Sequence, residues 1–209
     1  MNTLLQKTHT LKFRDISLLI YLCTLTAHQS GAGADVFIVR FGFIQYIMVE
    51  FFMLLLKGKI KFNTLTIWYA VFVVFNFLSV FWARDAALPF GYFNQFIQII
   101  FLLFFLTQRI TCADDIRLII KLVVLSLFYM AAFLYIRTPN YIWGTDRIGE
   151  GMGLHPNAIG MMMAIGTVLC LYLIFDSKKE KLQVVCCAAG YVLFAVLAML
   201  TGRIRRRSI

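Results

Sequence analysis

The residues of this sequence best suited to chemistry lie between Arg137 and Asn157, in the stretch RTPNYIWGTDRIGEGMGLHPN. Two guanidinium groups, Arg137 and Arg147, stand here with the imidazole of His155 and the carboxylates of Asp146 and Glu150, among Gly144, Gly149, Gly151 and Gly153. Guanidinium holds its charge and grips oxyanions through paired N–H donors, and glycine lets a backbone pass close to a ligand. Pro156, with Asn157 at or near an N-cap, predicts a helix start whose unpaired amides attract negative charge. The chemistry implied is anion binding in a ligand-facing loop. Imidazole is a general base suited to neutral pH, and the alternative for His155 is a loop or capping role.

Other polar residues stand alone in apolar surroundings. Arg84 could add a second cation, pair with Asp85, or mark an interface. Glu50 falls inside a hydrophobic run, where a carboxylate is costly unless it faces a bundle interior, finds a partner or approaches a boundary near Lys57. Gln95 and Gln98, with Asn94 adjacent, fall on one helical face and suit sugar hydroxyls or helix-to-helix hydrogen bonds. Gly149-Glu150-Gly151-Met152-Gly153 lacks the Lys-Ser/Thr of a P-loop, and no βαβ unit surrounds it. Cys23, Cys112, Cys170, Cys186 and Cys187 show no CxxC spacing and no His cluster, so neither a metal site nor a disulfide framework is expected. Met161, Met162 and Met163 read as lipid-facing filler, and the small residues from Cys186 to Gly190 as a close-packing helix face.

The elements that must position these groups follow from composition. Hydrophobic residues make up 61% of the chain and charged residues 14%, with a mean hydropathy of +0.82, more apolar surface than an aqueous fold can hide. The net charge of +10 is scattered over short connections, which argues for topology signals and anionic-lipid contacts and against nucleic acid. A helix needs about 20 residues to cross hydrocarbon about 30 Å thick. That ruler predicts an all-α, polytopic transmembrane bundle with seven spans near Ile16–Ser30, Val36–Leu56, Thr64–Trp82, Tyr92–Leu106, Leu118–Ile136, Ala158–Phe175 and Val184–Leu200. The first has the parts of a cleavable signal peptide, which would leave six spans; an uncleaved insertion helix is the favoured expectation.

With the amino terminus in the cytoplasm, Lys7, Lys12, Arg14, Lys57, Lys59, Lys61, Arg109, Arg117, Lys121, Lys178, Lys179 and Lys181 lie inside, and Arg40, Arg84, Arg137 and Arg147 outside. This agrees with the positive-inside bias. Arg203, Arg205, Arg206 and Arg207 break it, since seven crossings would put them outside.

Arg147-Ile148-Gly149 followed by His155-Pro156-Asn157 and a hydrophobic helix resembles the R-x-x-G...P-N signature of the O-antigen ligase and O-antigen polymerase superfamily, with the Arg-to-Gly interval one residue shorter. Ser79-Val80-Phe81-Trp82-Ala83-Arg84-Asp85-Ala86-Ala87 resembles that family's aromatic-Trp-Ser element at the outer end of a helix, with Ala83 where Ser is usual. Leu200-Thr201-Gly202 resembles the start of its Leu-Thr-Gly-Ser-Arg element, with Arg203-Ile204 in place of Ser-Arg. The resemblance covers nearly all of this chain but about the first half of a typical member. It implies helices over 1–143 and, over 144–209, the start of the ligase-like domain, ending before the large periplasmic loop that carries the family's proposed catalytic histidine. A frameshift or premature stop is the expected cause of that ending and of the basic tail.

The resemblance further implies a multi-pass protein of the bacterial inner membrane. Family members transfer undecaprenyl-diphosphate-linked glycan to lipid A core or to another lipid-linked glycan on the periplasmic side, without nucleotide sugar, cofactor or metal. An acceptor hydroxyl attacks the anomeric carbon and lipid diphosphate leaves, so fixed cations are needed where negative charge departs. On this basis Arg147 is the first candidate for diphosphate contact, joined by Arg84, Gly149 and Asn157; no catalytic residue is assigned. For Arg147 the plainer alternative is an interfacial arginine reaching lipid phosphates. The rival functions are a small permease or transporter, which calls for broken helices or internal symmetry, and a noncatalytic membrane subunit.

Overall fold

A computed structural model describes residues 12–28, 34–58, 60, 63–78, 81, 87–138, 156–176 and 181–201. Among the described residues there are seven α-helices and no strand: α1 (Phe13–His28), α2 (Ala34–Lys57), α3 (Thr64–Leu78), α4 (Ala87–Arg109), α5 (Ala113–Arg137), α6 (Pro156–Asp176) and α7 (Lys181–Thr201). Each expected segment contains one helix. The largest boundary differences are at the starts of α4 and α5, which begin at Ala87 and Ala113 where Tyr92 and Leu118 were expected. Pro89 falls in the first turn of α4, where proline is tolerated because the amide it lacks has no intrahelical partner.

Local chemistry starts and stops these helices. Asp15 Oδ2 accepts the Lys12 backbone N–H at 2.8 Å. Asp115 Oδ2 accepts the backbone N–H groups of Thr111 at 2.8 Å and Cys112 at 3.1 Å, and the Thr111 hydroxyl at 2.7 Å. A carboxylate in the third helical position thus satisfies amides that the helix itself cannot. Asn63 Oδ1 caps α3 by accepting the Leu65 N–H at 3.1 Å. At the end of α2, Gly58 takes a φ of 62° and donates its N–H to the Leu54 carbonyl at 3.1 Å, a left-handed C-cap that glycine adopts without strain.

Four helical segments are long and apolar enough to cross a bilayer: Phe37–Leu56 within α2, and all of α5, α6 and α7. The 21 residues of α6 and of α7 rise about 31 Å, the thickness of the hydrocarbon. Their surfaces carry exposed Met161, Val168, Phe175, Val185, Val192 and Met199, which water would disfavour and lipid tails accept. The chain is a helical membrane protein. The 15-residue α3 and the apolar stretch Gln95–Arg109 of α4 are shorter.

The chain divides into two compact units, Met1–Tyr46 with Ile119–Ile209, and Ile47–Leu118. In the first, α6 and α7 form an antiparallel hairpin with a ladder of close contacts. A Cβ added at Gly160 would lie 2.7 Å from Thr201 Oγ1, one at Gly166 would lie 2.8 Å from both Leu127 Cδ1 and Phe194 Cδ2, and one at Gly190 would lie 2.5 Å from Phe128 Cζ and 3.2 Å from Cys170 Sγ. Small residues let membrane helices approach where no hydrophobic force drives them together. Around this ladder α5 adds Leu127, Met130, Ala131 and Leu134, and the Phe128 and Phe194 rings tilt together with centroids 4.9 Å apart. Met163 is fully buried here and Met162 packs against the core, so of the three methionines expected to face lipid only Met161 is exposed. The run occupies successive helical positions, and successive positions face different directions.

The same unit joins α1 to the first half of α2. Tyr21 and Tyr46 stack with centroids 5.2 Å apart, Gly42 meets the Thr24 side chain, and Gln45 Nε2 donates to Ser17 Oγ at 2.8 Å. In the second unit, α3 pairs with α4, and Phe72 meets Phe96 edge to face at 6.2 Å.

Candidate functional site

Of the residues that the sequence nominated for anion binding, Arg84, Arg147 and Gly149 lie outside the described residues, as do Asp85, Asp146, Glu150 and His155. Asn157 is described and exposed. It is the second residue of α6, not its cap, because α6 begins at Pro156. Proline suits a first helical position, where its fixed φ is already helical and its missing N–H leaves no bond unmade.

The helix ends around Asn157 can be placed from the packing of the first unit. Gly160, one turn into α6, meets Thr201 at the last turn of α7, so the Pro156-Asn157 element and the Leu200-Thr201 element are neighbours at one end of the hairpin. Thr201 is 1% exposed and donates its hydroxyl to the Ala198 carbonyl at 2.9 Å, which leaves its hydroxyl oxygen against Gly160. Leu127 of α5 faces Gly166 and lies as far from the end of α5 at Arg137 as Gly166 lies from the start of α6. Consecutive membrane spans run in opposite directions, which puts Arg137 at the same end, and its guanidinium stands 5.3 Å over the Phe133 ring. Cation–π contact of this kind holds a guanidinium without neutralising it. In the sequence Arg137 stands with Arg147 as one of two guanidinium groups of the outer loop, and it is not among the residues singled out there for diphosphate contact. The signal that could have found it is the antiparallel connection of α5 to α6, which brings the two helix ends to one level.

The remaining nominated polar groups divide by burial. Glu50 is 0% exposed and sits two turns before the end of α2, so its side chain is covered by packed protein. Gln98 is buried whereas Gln95 is exposed, so the pair does not present one joint face to a ligand. Arg109, expected as an inside-loop cation, is buried as the last residue of α4, where a cation meets the negative end of the helix dipole. Ser17, Gln45 and Ser126 were not singled out from the sequence, yet they join helices: Gln45 bonds to Ser17, and the Thr26 hydroxyl donates to the Ser126 carbonyl at 3.4 Å. Polar residues inside apolar runs are the signal for such bonds. All five cysteines are free thiols. Among the described residues no group of three His, Cys, Asp or Glu side chains is placed to hold a metal.

The class these features define is a helical membrane protein whose α5, α6 and α7 bring two arginine- and asparagine-bearing helix ends together at one end. No protein-family model, no curated protein and no solved structure matches this chain.

Proposed function

We propose that this chain is a bacterial inner-membrane glycosyltransferase of the O-antigen ligase or polymerase type, acting on undecaprenyl-diphosphate-linked glycan at the periplasmic face. The acceptor in this reading is lipid A core or a second lipid-linked glycan, and surrounding lipid is the other partner. The topology proposed has seven spans and a cytoplasmic amino terminus, with α1, α3 and α4 crossing alongside the four longer segments. Arg147 then lies outside, in the connection between α5 and α6. Arg147 and Arg84 supply cations to the diphosphate, Gly149 gives the loop backbone its close approach, and Asn157 offers amide or side-chain donors at the start of α6.

The observation that supports this reading is the contact between Gly160 and Thr201. It brings into one place two elements, Pro156-Asn157 and Leu200-Thr201, that were noticed separately as family-like and are far apart in sequence. Arg137, held over Phe133 at the same end, adds a further cation where negative charge would accumulate in the departure of a lipid diphosphate.

Topology mapping tests the reading first. Reporter fusions within 139–155 are expected to score periplasmic and fusions within 177–180 cytoplasmic; the reverse removes the proposal. Complementation of a strain lacking polymerase or ligase with the gene for this protein is expected to restore long-chain polysaccharide. Arg147→Ala should abolish that restoration, and restoration that persists unchanged removes the proposed role of Arg147.

The full burial of Glu50 inside an apolar span is the observation that favours the transporter reading, since intramembrane carboxylates often mark ion or proton pathways. Loss of solute uptake in Glu50→Gln, with polysaccharide unaffected, would select that alternative.

A further inference from the structure

We propose that Arg40 is the docking point for a partner membrane helix that carries a carboxylate at mid-depth. By the sequence of α2 alone Arg40 is one turn below the start of the apolar stretch Phe37–Leu56; the packing of the first unit sets it deeper. Gly166 is the central residue of α6 and faces Leu127 of α5. Next to Leu127, the Ser126 carbonyl accepts the Thr26 hydroxyl of α1 at 3.4 Å. Thr24 of α1 meets Gly42 of α2 and Tyr21 stacks on Tyr46, so α1 and α2 run antiparallel. Arg40 is two residues from Gly42 toward the start of α2, as Thr26 is two residues from Thr24 toward the end of α1. Arg40 therefore stands level with Thr26 and with the middle of α6, ten residues from either end of that helix, about 15 Å of helical rise. Measured along α1, Thr26 is eleven residues beyond Asp15, about 17 Å, which gives the same depth from the charged entry of α1.

Arg40 is exposed, and no hydrogen bond or ion pair among the described residues engages its guanidinium. A guanidinium cannot shed its charge, and from mid-depth it does not reach the headgroups as arginines near helix ends do. Cations at such depth pair with an anion or face water. The neighbours of Arg40 on α2, Phe37, Phe41 and Ile44, are exposed, an apolar setting that suits a helix and not a water-filled cavity. A second copy of this chain does not supply the anion. Among the described residues Asp15, Asp114, Asp115 and Asp176 lie in end turns of their helices, and Glu50 is fully buried. The occupant is a helix of another chain, apolar except for an Asp or Glu near its centre, whose carboxylate accepts paired N–H bonds from Arg40.

The test places the full chain in lipid vesicles with a polyleucine transmembrane peptide carrying one central glutamate, and reads association by energy transfer. The glutamate peptide is expected to bind about tenfold more tightly than the same peptide with a central leucine. Arg40→Leu should remove that preference and leave the weak association of the leucine peptide unchanged, which also reports that the fold survives. Arg40→Lys, which keeps the charge, should retain the preference. Equal association of the two peptides with the unsubstituted chain, or a preference that persists in Arg40→Leu, overturns the proposal. Arg40→Cys checks the depth: labelling by a membrane-impermeant methanethiosulfonate should not exceed that of the unsubstituted chain. Rapid labelling of that cysteine means a water-filled cavity or an interfacial position, and overturns the proposal equally. Neither readout depends on glycan transfer.

Discussion

The α6–α7 hairpin and the α3–α4 pair are both apolar helix pairs, but they are built on different terms. In the hairpin three glycines admit a neighbouring side chain to the helix backbone: Gly160 meets Thr201, Gly166 meets Phe194, and Gly190 meets Phe128 and Cys170. In α3 only Thr66 and Val73 are buried, while Trp68, Val71, Phe72, Phe75 and Leu78 remain exposed. Its contact with α4 includes an aromatic edge, Phe72 on Phe96. The difference teaches that apolar character alone does not decide helix association in a membrane, because lipid tails solvate a phenylalanine as well as another helix does. Shape decides, through the small residues that allow close approach.

Four substitutions sharpen or break that contrast. Phe194→Ala should cost most, about 3 kcal/mol at the low end of the range for a buried phenylalanine, since in lipid the cavity term survives and much of the water-transfer term does not. Reversible unfolding of the purified protein in mixed micelles reads this directly, and a cost below that of an exposed substitution would break the comparison. Gly166→Ala comes next, expected to destabilise by about 1–3 kcal/mol through overpacking against Leu127 and Phe194, with the same assay. Asp115→Ala removes three capping bonds at the start of α5 and should cost about 1 kcal/mol. Hydrogen exchange at the Thr111 and Cys112 amides should quicken while α6 and α7 stay protected, because capping is local. Smallest is Trp68→Leu on α3, expected within about 0.5 kcal/mol of the parent for an exposed position; a large loss there would mean that a partner helix covers this face.

Much of the helical framework was legible in the sequence because the length of an apolar run and its polar punctuation are local properties. The runs centred on α2, α5, α6 and α7 needed only the thickness of a bilayer to be found. Legibility failed where a boundary depends on what a first turn tolerates, as at Pro89, and where one helix face must be chosen. Met161, Met162 and Met163 look alike in sequence, yet Met163 is in the core and Met161 is not. Gln95 and Gln98 are separated by the same cause. For the candidate site, the sequence marked Pro156-Asn157 and Leu200-Thr201 as two distant elements, and it gave Arg137 a place in the loop but no contact.

By itself the sequence determined that this is a helical membrane protein and where its apolar segments lie. Those depend on the cost of placing backbone and charge in hydrocarbon, which each segment meets alone. Only the tertiary structure decided that Thr201 lies against Gly160, that Arg137 shares an end with Pro156, and that Glu50 is covered by packed protein. Such facts depend on helix rotation and register, which are fixed by side-chain shapes meeting across an interface and leave no periodic trace in either helix.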